Sequence, residues 1–437
     1  MTQTIEQIYH LFLQHPNVVT DSRNVVEEGI FFALKGETFD GNRFARKALD
    51  AGCNYAIVDD TTVAGTDDRF VVVDNVLETL QQLAHHHRQQ FHIPVIGVTG
   101  TNGKTTTKEL MAAVLMEKYR VLYTQGNLNN HIGVPLTLLQ LNAQHQIAII
   151  EMGANHPGEI ASLVKLVEPT HGIITNIGKA HLEGFGSLEG IIQTKGALYD
   201  YLRQHHGYIF RNITNPYLCK IAGGTEEVTY ALNELKAGVV GCIEQSAPFI
   251  ALSWRSQRFQ SGAHTVQTQF IGSYNAENIL AAITFGLFFE VEPEQICHAL
   301  QTYKPHNNRS QYIKTAKNEV IMDAYNANPA SMEVALQNFH SLALDNKLLI
   351  LGDMLELGET SLQEHQHVVD IARQLGFKQA ILVGSNFSAV DISGTEYRKI
   401  HDLQMLTLYL EEHELKDYAI LIKGSHGIGL DRVITLL

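Results

Sequence analysis

A glycine-rich turn between an apolar strand and a helix constrains this chain more than any other stretch. It reads Val95-Ile-Gly-Val-Thr-Gly-Thr-Asn-Gly-Lys-Thr-Thr-Thr107. The first residues are typical of a short buried strand, and apolar residues at helical spacing follow the turn. The glycines allow backbone N–H groups to close around an anion, and the N-terminus of the helix adds a partial positive charge. The stretch therefore predicts a phosphate-binding loop.

Two side chains of this loop strengthen the prediction. Lys104 can reach terminal phosphates, and the Thr105 hydroxyl can ligate Mg²⁺. The usual P-loop has a glycine five residues before Gly103, where this chain has Val98, so only the shorter Gly-x-x-Gly-Lys-Thr form is present. The alternative, a plain glycine turn, requires the lysine and the threonine to be coincidental. We expect ATP contacts from the whole loop, namely Gly100, Thr101, Asn102, Gly103, Lys104, Thr105 and Thr106.

The acidic balance of the chain limits its partners. With 32 basic and 46 acidic residues, the formal net charge is −14. Such a charge argues against general binding to nucleic acids or to anionic membranes. We therefore expect no nucleic-acid partner, and an anionic nucleotide must be held by a local site.

Targeting and cysteine patterns predict a cytoplasmic protein without membrane insertion. The N-terminal residues show neither a basic start nor an apolar signal core, and the longest apolar run, 279–289, is too short to span a bilayer. The four cysteines form no Cys-x-x-Cys pair and no metal-ligand spacing. This pattern indicates buried thiols in a reducing compartment. We also expect the chain to be a monomer.

Two joints divide the 437 residues into three units. Residues 1–90 predict a small α/β domain. After the joint 91–94, strands and helices alternate through residues 91–303, which predicts a parallel sheet with helices on its faces. After a second joint, residues 304–437 contain apolar runs that mostly end in glycine, which favours a Rossmann-like domain. The expected fold is α/β with three domains, a central P-loop ATPase flanked by the other two.

Polar residues that follow other predicted strands are candidates for the same site. Glu151 ends an apolar run, the place where a carboxylate holds Mg²⁺ beside a phosphate loop. The amide-rich segment 127–135, with Asn129 and Asn130, is either a plain loop or a rigid ligand-facing turn. His181, in a loop after a further strand, is equally compatible with a metal ligand and with a loop cap.

A lysine interrupts the apolar stripe of a predicted helix. Within residues 187–202, Lys195 lies four after Ile191 and three before Leu198, where a core residue is expected. One interpretation is a stem that lies along the core while the ammonium reaches water. The other is a lysine that faces inward, whose pKa is lowered by desolvation so that part of it is neutral amine.

Together these motifs resemble the Mur ligase family, the ATP-dependent amide-bond synthetases of peptidoglycan assembly. The matching residues extend over all three predicted domains: Thr99-Gly-Thr-Asn-Gly-Lys-Thr105, Glu151, the Ala180-His181 loop, Lys195, Asn275, Asn278, Arg309 and Asp323. Stretches such as Phe32-Ala-Leu-Lys-Gly36 and Asp323-Ala-Tyr-Asn-Ala-Asn-Pro329 are closest to family members that add D-alanyl-D-alanine. The Asp-Asn-Pro-Arg-type motif of the diamino-acid-adding members is absent from the sequence.

The resemblance implies a reaction and a domain plan. ATP would phosphorylate the terminal carboxylate of UDP-MurNAc-tripeptide, the amine of D-alanyl-D-alanine would attack the acyl phosphate, and ADP and phosphate would leave. Residues 1–90 would bind the UDP-sugar, residues 91–303 would bind ATP, and residues 304–437 would bind the dipeptide and close the site. Phosphoryl transfer needs positioning and charge neutralisation more than a protein nucleophile, which suits these residues.

The resemblance also implies roles for individual residues. Two Mg²⁺ ions would be held by Thr105, Glu151, His181 and Lys195, the lysine as a carbamate formed with CO₂. Lys104, Lys195 and His181 would be catalytic. Further ATP contacts would come from Asn275, Asn278, Arg309 and Asp323. Substrate contacts would come from Ser22, Arg23, Lys35, Gly36, Asn129, Asn130, Asn326, Asn328 and Lys423.

Two positions depart from the family pattern. Asn308 precedes Arg309 where glycine is common, and His426 follows Lys423-Gly-Ser425 where arginine is often seen. The alternatives to this interpretation are another Mur ligase, a folylpolyglutamate-synthetase-like ligase, and a nucleotide-dependent switch without chemistry of its own. The signature of the first domain argues against folate. The sequence does not distinguish lysine from diaminopimelate at the third position of the tripeptide.

Overall fold

The computed structural model describes residues 3–178, 182–305 and 308–437. Over these residues the chain forms three β-sheets in succession, each flanked by helices. This confirms the predicted α/β class, with a larger and mostly parallel sheet between two smaller ones. The strands of the three sheets fall within residues 18–72, 95–267 and 311–423. The domain boundaries at residues 90 and 303 stay predictions.

The first sheet is parallel and small. Its strands are β1 (Val18–Val19), β2 (Ile30–Phe32), β3 (Tyr55–Val58) and β4 (Phe70–Val72), in spatial order β1-β2-β3-β4. Its helices are α1 (Ile5–Gln14), α2 (Ala45–Asp50), α3 (Thr61–Ala64) and α4 (Val76–Arg88). A capping box starts α1, because the Thr4 hydroxyl accepts from the Gln7 N–H and the Gln7 side chain accepts from the Thr4 N–H. The apolar faces of α1 and α4 pack into the core beneath the second sheet, which joins the two units.

The central sheet carries the phosphate loop at its middle. Its strands are β5 (Val95–Thr99), β6 (Val121–Tyr123), β7 (Ile147–Glu151), β8 (His171–Ile174), β9 (Tyr208–Asn212), β10 (Glu227–Leu232), β11 (Val239–Gln245), β12 (Ala251–Ser256) and β13 (Ser261–Gln267), in spatial order β13-β12-β11-β10-β9-β8-β5-β7-β6. Its helices are α5 (Lys104–Met116), α6 (Gly133–Leu138), α7 (Glu159–Val167), α8 (Leu182–Phe185), α9 (Leu188–Gln204), α10 (Pro216–Ile221), α11 (Ala276–Phe288) and α12 (Pro293–Thr302).

One strand of this sheet, β12, runs against the others. The pairs β11–β12 and β12–β13 are antiparallel, whereas the pairs from β6 to β11 are parallel. The sequence predicted a parallel sheet only. The physical reason for the difference is the short connection between β12 and β13, since a few residues can form a hairpin but cannot cross over to a parallel neighbour.

The third sheet has a mixed edge and a parallel centre. Its strands are β14 (Gln311–Lys314), β15 (Glu319–Asp323), β16 (Lys347–Gly352), β17 (Gln379–Val383), β18 (Arg398–Ile400) and β19 (Ala419–Lys423), in spatial order β14-β15-β19-β16-β17-β18. Its helices are α13 (Pro329–Ser341), α14 (Ser361–Gln374), α15 (Ser385–Ser388) and α16 (Leu403–Glu412). The pair β14–β15 is antiparallel and the others are parallel. Short 3₁₀ segments complete the described chain at Gly41–Phe44, Ser273–Asn275, Gly358–Thr360, His426–Ile428 and Leu430–Leu436.

Membrane and thiol predictions can be compared with this fold. None of the helices in the described ranges combines the length and apolarity that a bilayer crossing requires. The prediction of four buried thiols was wrong. Cys53 is buried, but Cys219 and Cys242 are exposed and Cys297 is half-buried. Cys242 lies on the solvent-facing side of β11, where successive side chains point to opposite faces.

Candidate active site

A cleft of about 1520 Å³ lies at the carboxyl ends of strands in the central and third sheets. Its lining includes the loop after β5, the end of β7, the segments after β15 and β19, and part of α4 from the first unit. In open α/β sheets, ligands bind outside the carboxyl ends of the strands. All three units therefore contribute to one candidate site.

The two glycines of the phosphate loop are required by its geometry. Gly100 and Gly103 have φ values of 149° and 78°, which L side chains rarely adopt. A Cβ on Gly100 would lie 1.9 Å from the Thr175 Oγ1, and one on Gly103 would lie 2.5 Å from the Asn278 Oδ1. The loop therefore closes tightly against both neighbours only with glycine at these positions.

Lys104 folds back over this loop. Its Nζ donates to the carbonyl oxygens of Gly100 at 2.9 Å and Thr101 at 3.2 Å. Burial lowers the pKa of Lys104, while Glu151 opposes this effect and Arg309 adds to it. A phosphate in the loop would be a stronger partner for the ammonium than two neutral carbonyls. Lys104 thus lies where a phosphate-binding lysine is expected.

Glu151 ends β7 beside the loop, with 1% of its surface exposed. Its Oε1 accepts hydrogen bonds from the Thr105 hydroxyl at 3.2 Å and from the Asn129 Nδ2 at 2.8 Å. Its Oε2 is buried and makes no hydrogen bond within the described residues. A buried carboxylate oxygen without a donor is costly, so this oxygen fits a cation.

The fit to Mg²⁺ rests on few protein ligands. In the part of the chain that the structure describes, no group of three or more His, Cys, Asp or Glu side chains could hold a metal ion. Beside a nucleotide, Mg²⁺ is usually bound by one or two carboxylates together with phosphates and water. Thr105 and Glu151 suit that arrangement. His181, a further predicted ligand, lies outside the described residues.

Lys195 is buried in α9, with 3% of its surface exposed. Of the two interpretations above, the structure has the inward-facing lysine. Its Nζ lies 5.6 Å from the centre of the Phe185 ring. Burial lowers the pKa of Lys195 to about 7, with Lys104 adding to the effect and Glu159 opposing it. In about half of the protein molecules, the Lys195 amine is then neutral at pH 7. Lys195 itself is not among the described residues that line the cleft.

A chain of hydrogen bonds connects the helix of the phosphate loop to the third unit. The Thr107 hydroxyl donates to the Asn278 Oδ1 at 3.0 Å, and the Asn278 Nδ2 donates to the Asn275 Oδ1 at 3.1 Å. The Asn275 Nδ2 donates to the Ser310 hydroxyl at 3.3 Å, and the Ser310 N–H donates to the Asp323 Oδ1 at 3.1 Å. The predicted ATP contacts Asn275, Asn278 and Asp323 are thus part of one coupled network that borders the cleft.

Asp323 and Lys423 end neighbouring strands of the third sheet. The Lys423 Nζ lies 2.6 Å from the Asp323 Oδ2 and also donates to the Asn326 carbonyl at 3.2 Å. Lys423 is 2% exposed. Because its ammonium is engaged on both sides, Lys423 holds the segment that contains Asn326, and Asp323, Asn326 and Lys423 all line the cleft.

Arg309 is held by an aromatic face. Its guanidinium carbon lies 3.7 Å from the centre of the Tyr325 ring, and the His426 ring stacks on the same tyrosine at 5.4 Å between centroids. All three residues line the cleft. Stacking on a ring leaves guanidinium N–H groups available for an anion. Asn308, where the family often has glycine, has φ 55°, and asparagine tolerates this region better than most residues.

Two amides bridge the second and third units. The Asn328 Nδ2 donates to the Asn102 Oδ1 at 3.1 Å. The Asn328 Oδ1 accepts from the Ser331 N–H and caps α13. The predicted dipeptide contact from Asn328 therefore competes with a bridge between units.

The amide-rich segment after β6 is a rigid turn. The Asn130 Oδ1 accepts from the backbone N–H groups of Ile132 at 3.1 Å and Gly133 at 2.9 Å, which fixes the start of α6. Asn129 instead orients Glu151, as described above. Of these two predicted substrate residues, Asn130 holds the loop and Asn129 holds the carboxylate, and both border the cleft.

The residues predicted to hold the UDP-sugar form a separate patch: Ser22, Arg23, Lys35 and Gly36. They follow β1 and β2 at the carboxyl edge of the first sheet and do not line the cleft. The Lys35 Nζ pairs with Asp59 at 2.8 Å, and Arg23 pairs with Asp21 at 2.7 Å. The structure does not bring this patch into the cleft of the phosphate loop.

Sequence reasoning missed Lys108, which lies one turn after Lys104 on α5. It is fully buried. Burial lowers the pKa of Lys108, and Glu151 and Glu109 oppose this effect. The signal for it was present, since Lys108 lies three residues before the buried Met111, as Lys195 lies three before Leu198.

Domain families match the chain in the order of its three sheets. The description "Mur ligase family, catalytic domain" matches residues 16–88, "Mur ligase middle domain" matches residues 98–286, and "Mur ligase, glutamate ligase domain" matches residues 308–426.

Curated proteins with similar sequences extend over nearly the whole chain. UDP-N-acetylmuramoyl-tripeptide–D-alanyl-D-alanine ligase of Bacillus subtilis (strain 168) is 34% identical over 432 residues, which covers 95% of this chain and 92% of the relative. The protein of the same name from Escherichia coli (strain K12) is 32% identical over 431 residues, covering 96% and 93%.

Solved structures agree with this similarity. MurF from Acinetobacter baumannii superposes with a TM-score of 0.83 at 31% identity, covering 96% of this chain and 92% of that one. MurF ligase from Thermotoga maritima in complex with ADP has a TM-score of 0.84 at 25% identity, covering 97% of each chain.

Proposed function

The chain belongs to the Mur ligase family, and we propose that it is the ATP-dependent ligase that joins D-alanyl-D-alanine to UDP-N-acetylmuramoyl-tripeptide. The observation that most supports this proposal is the cleft, where the phosphate loop and the Glu151 carboxylate face residues of the third sheet. A phosphoryl donor and an incoming amine need such a shared space. The near-full-length similarity to ligases of that name supports the substrate pair, and the ADP complex of a relative supports ATP use.

The proposed reaction has two steps. The γ-phosphoryl group of ATP passes to the terminal carboxylate of the tripeptide, which gives an acyl phosphate and ADP. The amine of the dipeptide then attacks the acyl carbon, an amide bond forms, the amine loses a proton and phosphate leaves. Lys104 and the loop N–H groups hold the phosphates, and Arg309 offers a further cation from the third unit.

We place Mg²⁺ at Thr105 and Glu151, with a second ion at His181 and Lys195. The buried Glu151 Oε2 without a donor supports the first position. When bound, the ions supply positive charge that neutralises the phosphates. The protein fixes the Glu151 carboxylate, because Thr105 and Asn129 both donate to its Oε1.

Lys195 is proposed to act as a carbamate. The ammonium first loses a proton to give the neutral amine, which adds CO₂ to form a carbamate and releases a second proton, so a cation becomes a carboxylate-like group. The lowered pKa of about 7 and the 3% exposure of Lys195 support this chemistry, because a charged or solvated amine does not add CO₂ stably.

Each unit has a proposed task. Residues 1–90 bind the UDP-sugar through Ser22, Arg23, Lys35 and Gly36, residues 91–303 bind ATP, and residues 304–437 bind the dipeptide near Asn326 and close the site. The bridge between Asn102 and Asn328 supports closure. We also place the protein in the cytoplasm as a monomer, where ATP is available and its free thiols stay reduced.

The decisive test is ADP release by the purified protein with defined substrate pairs. We expect release only when UDP-MurNAc-tripeptide and D-alanyl-D-alanine are both present, with one peptide product per ADP. Turnover with UDP-MurNAc-dipeptide and a diamino acid would indicate another Mur ligase, and turnover with a folate and glutamate would indicate the folate class. ADP release without any substrate would favour a nucleotide switch.

A further inference from the structure

Lys108 is a buried cation that the proposed reaction does not use. No part of it reaches the surface. Its Nζ lies 3.7 Å from the Glu109 Oε1 and 3.7 Å from the Glu151 Oε2, and it donates to the Gly126 carbonyl at 3.3 Å. A buried ammonium persists only where anions and acceptors surround it. The position of Lys108 directly behind the candidate metal ligand therefore calls for an explanation.

The contact between Lys108 and Glu151 is electrostatic. A distance of 3.7 Å is too long for a hydrogen bond, so Lys108 attracts Oε2 without occupying its lone pairs. Thr105 and Asn129 fix the other oxygen of the same carboxylate. Glu151 is thus oriented on one edge and charge-balanced on the other, while Oε2 stays able to bind a cation.

The charges that act on the two lysines of the loop helix disfavour a cation that reaches Glu151 alone. Lys104 is acted on by Glu151 and Arg309, and Lys108 by Glu151, Glu109 and Arg309. Counted as ions, these three cations and two carboxylates leave one net positive charge in the immediate surroundings of Glu151. A divalent ion is therefore repelled until phosphates bring negative charge, whereas a nucleotide is attracted from the start.

We infer that Lys108 is a positioning countercharge that makes divalent-cation binding at Glu151 depend on bound nucleotide. This inference rests on the proposed magnesium role of Glu151. It gives the binding steps an order, with the nucleotide phosphates entering before the cation or together with it. A lysine that merely fills the core would change stability when replaced but would not change cation binding.

The test measures Mn²⁺ binding in the absence of nucleotide. Binding is monitored by electron paramagnetic resonance, as the loss of the signal of free Mn²⁺. Mn²⁺ stands in for Mg²⁺ because both prefer oxygen ligands. We expect wild type to bind Mn²⁺ weakly and Lys108→Met to bind it at least about tenfold more tightly, since the repelling charge is gone. Lys108→Arg keeps the charge and should behave as wild type.

Two controls assign any new binding to Glu151. Lys118→Met removes the same charge beyond the far end of α5, where Lys118 contacts the Glu290 carbonyl, and should leave Mn²⁺ binding unchanged. Lys108→Met combined with Glu151→Gln should lose the binding that Lys108→Met gained. Should Lys108→Met not fold, Lys108→Gln removes the charge but keeps a donor for the Gly126 carbonyl.

Several outcomes decide the matter. Tight Mn²⁺ binding by wild type without nucleotide, abolished by Glu151→Gln, would overturn the inference, as would a charge-neutral Lys108 variant that binds Mn²⁺ no better than wild type. The same titration with ADP separates the inference from its premise. If wild type binds no Mn²⁺ even with ADP, the proposed metal role of Glu151 fails. If it binds Mn²⁺ with ADP and only the Lys108 variants show no gain, the inference alone fails.

Discussion

Replacement of Lys195 by alanine is expected to remove nearly all ligase activity, and a small carboxylate should restore part of it. The carbamate chemistry depends on burial, which sets how much of the amine is neutral. An ordinary lysine with a pKa near 10.5 has about three neutral amines in ten thousand at pH 7, whereas the buried Lys195, with a pKa of about 7, has about one in two. Desolvation thus raises the fraction of Lys195 that is neutral amine about a thousandfold.

The assay is ADP release with both peptide substrates at pH 7. We expect kcat of Lys195→Ala to fall about a thousandfold, because the proposed carbamate ligand of the metal is lost. Formate should raise the kcat of Lys195→Ala at least about tenfold above its value in chloride of equal ionic strength, since formate can fill the space of the missing carbamate. Lys220→Ala, an exposed lysine on the adjacent α10, serves as the control and should stay near wild type with no formate effect.

A spectroscopic measurement tests the carbamate independently of activity. With ¹³C-bicarbonate, wild type should show a carbamate carbonyl signal that Lys195→Ala lacks. At fixed dissolved CO₂ the signal should weaken from pH 7 to pH 6, because the neutral fraction of the amine falls from about one half to about one tenth. An active Lys195→Ala enzyme, or wild type without the signal under CO₂, would refute the reasoning.

Other substitutions test the remaining parts of the site. Lys104→Ala should lower kcat at least about a thousandfold, since the phosphates lose their point charge, and activity within about tenfold of wild type would contradict the phosphate role. Glu151→Gln should raise the Mg²⁺ concentration for half-maximal rate, and an unchanged requirement would leave Glu151 a structural residue. Ser22→Ala with Lys35→Ala should raise KM for the UDP-substrate with little change in kcat, and an unchanged KM would count against the first unit as its site. Asn328→Ala should enlarge the radius of gyration measured by small-angle scattering with an ATP analogue bound, and an identical radius would argue against a role in closure.

Local patterns in the sequence were sufficient for the phosphate loop and for much of the third sheet. The loop requires glycine at positive φ and a lysine at the helix start, and these requirements can be read without the fold. Likewise, the apolar runs near residues 320, 347, 380 and 419 became β15, β16, β17 and β19. A helical stripe fixes which face a residue shares, so Lys195 could be placed on the apolar face, but the stripe did not distinguish an inward-facing ammonium from one that reaches water.

Contacts between distant segments could not be predicted in this way. Asn129 reaches Glu151 only because β6 lies beside β7 in the sheet, and Asn102 meets Asn328 only after the third unit docks on the second. Neither pairing leaves a periodic signal in the sequence. Lys108 is a different case. Its place on the apolar face of the helix could be read from the sequence, but its contacts with carboxylates could not.

The two connections between the phosphate loop and the third unit differ in how readily water can replace them. The bonds from Thr107 through Asn278 to Asn275 are buried, and an unsatisfied partner there would cost about 1–3 kcal/mol. The buried bond from Asn275 to Ser310 and the partly buried bond from Asn328 to Asn102 join the second unit to the third, and water can replace the second bond more readily than the first. The bond from Ser310 to Asp323 lies within the third unit. An opening motion between the units would break the first two bonds, while the asparagine pair stays with the loop helix. Under the proposed closure, these two bonds are the ones that re-form between the third unit and the nucleotide loop.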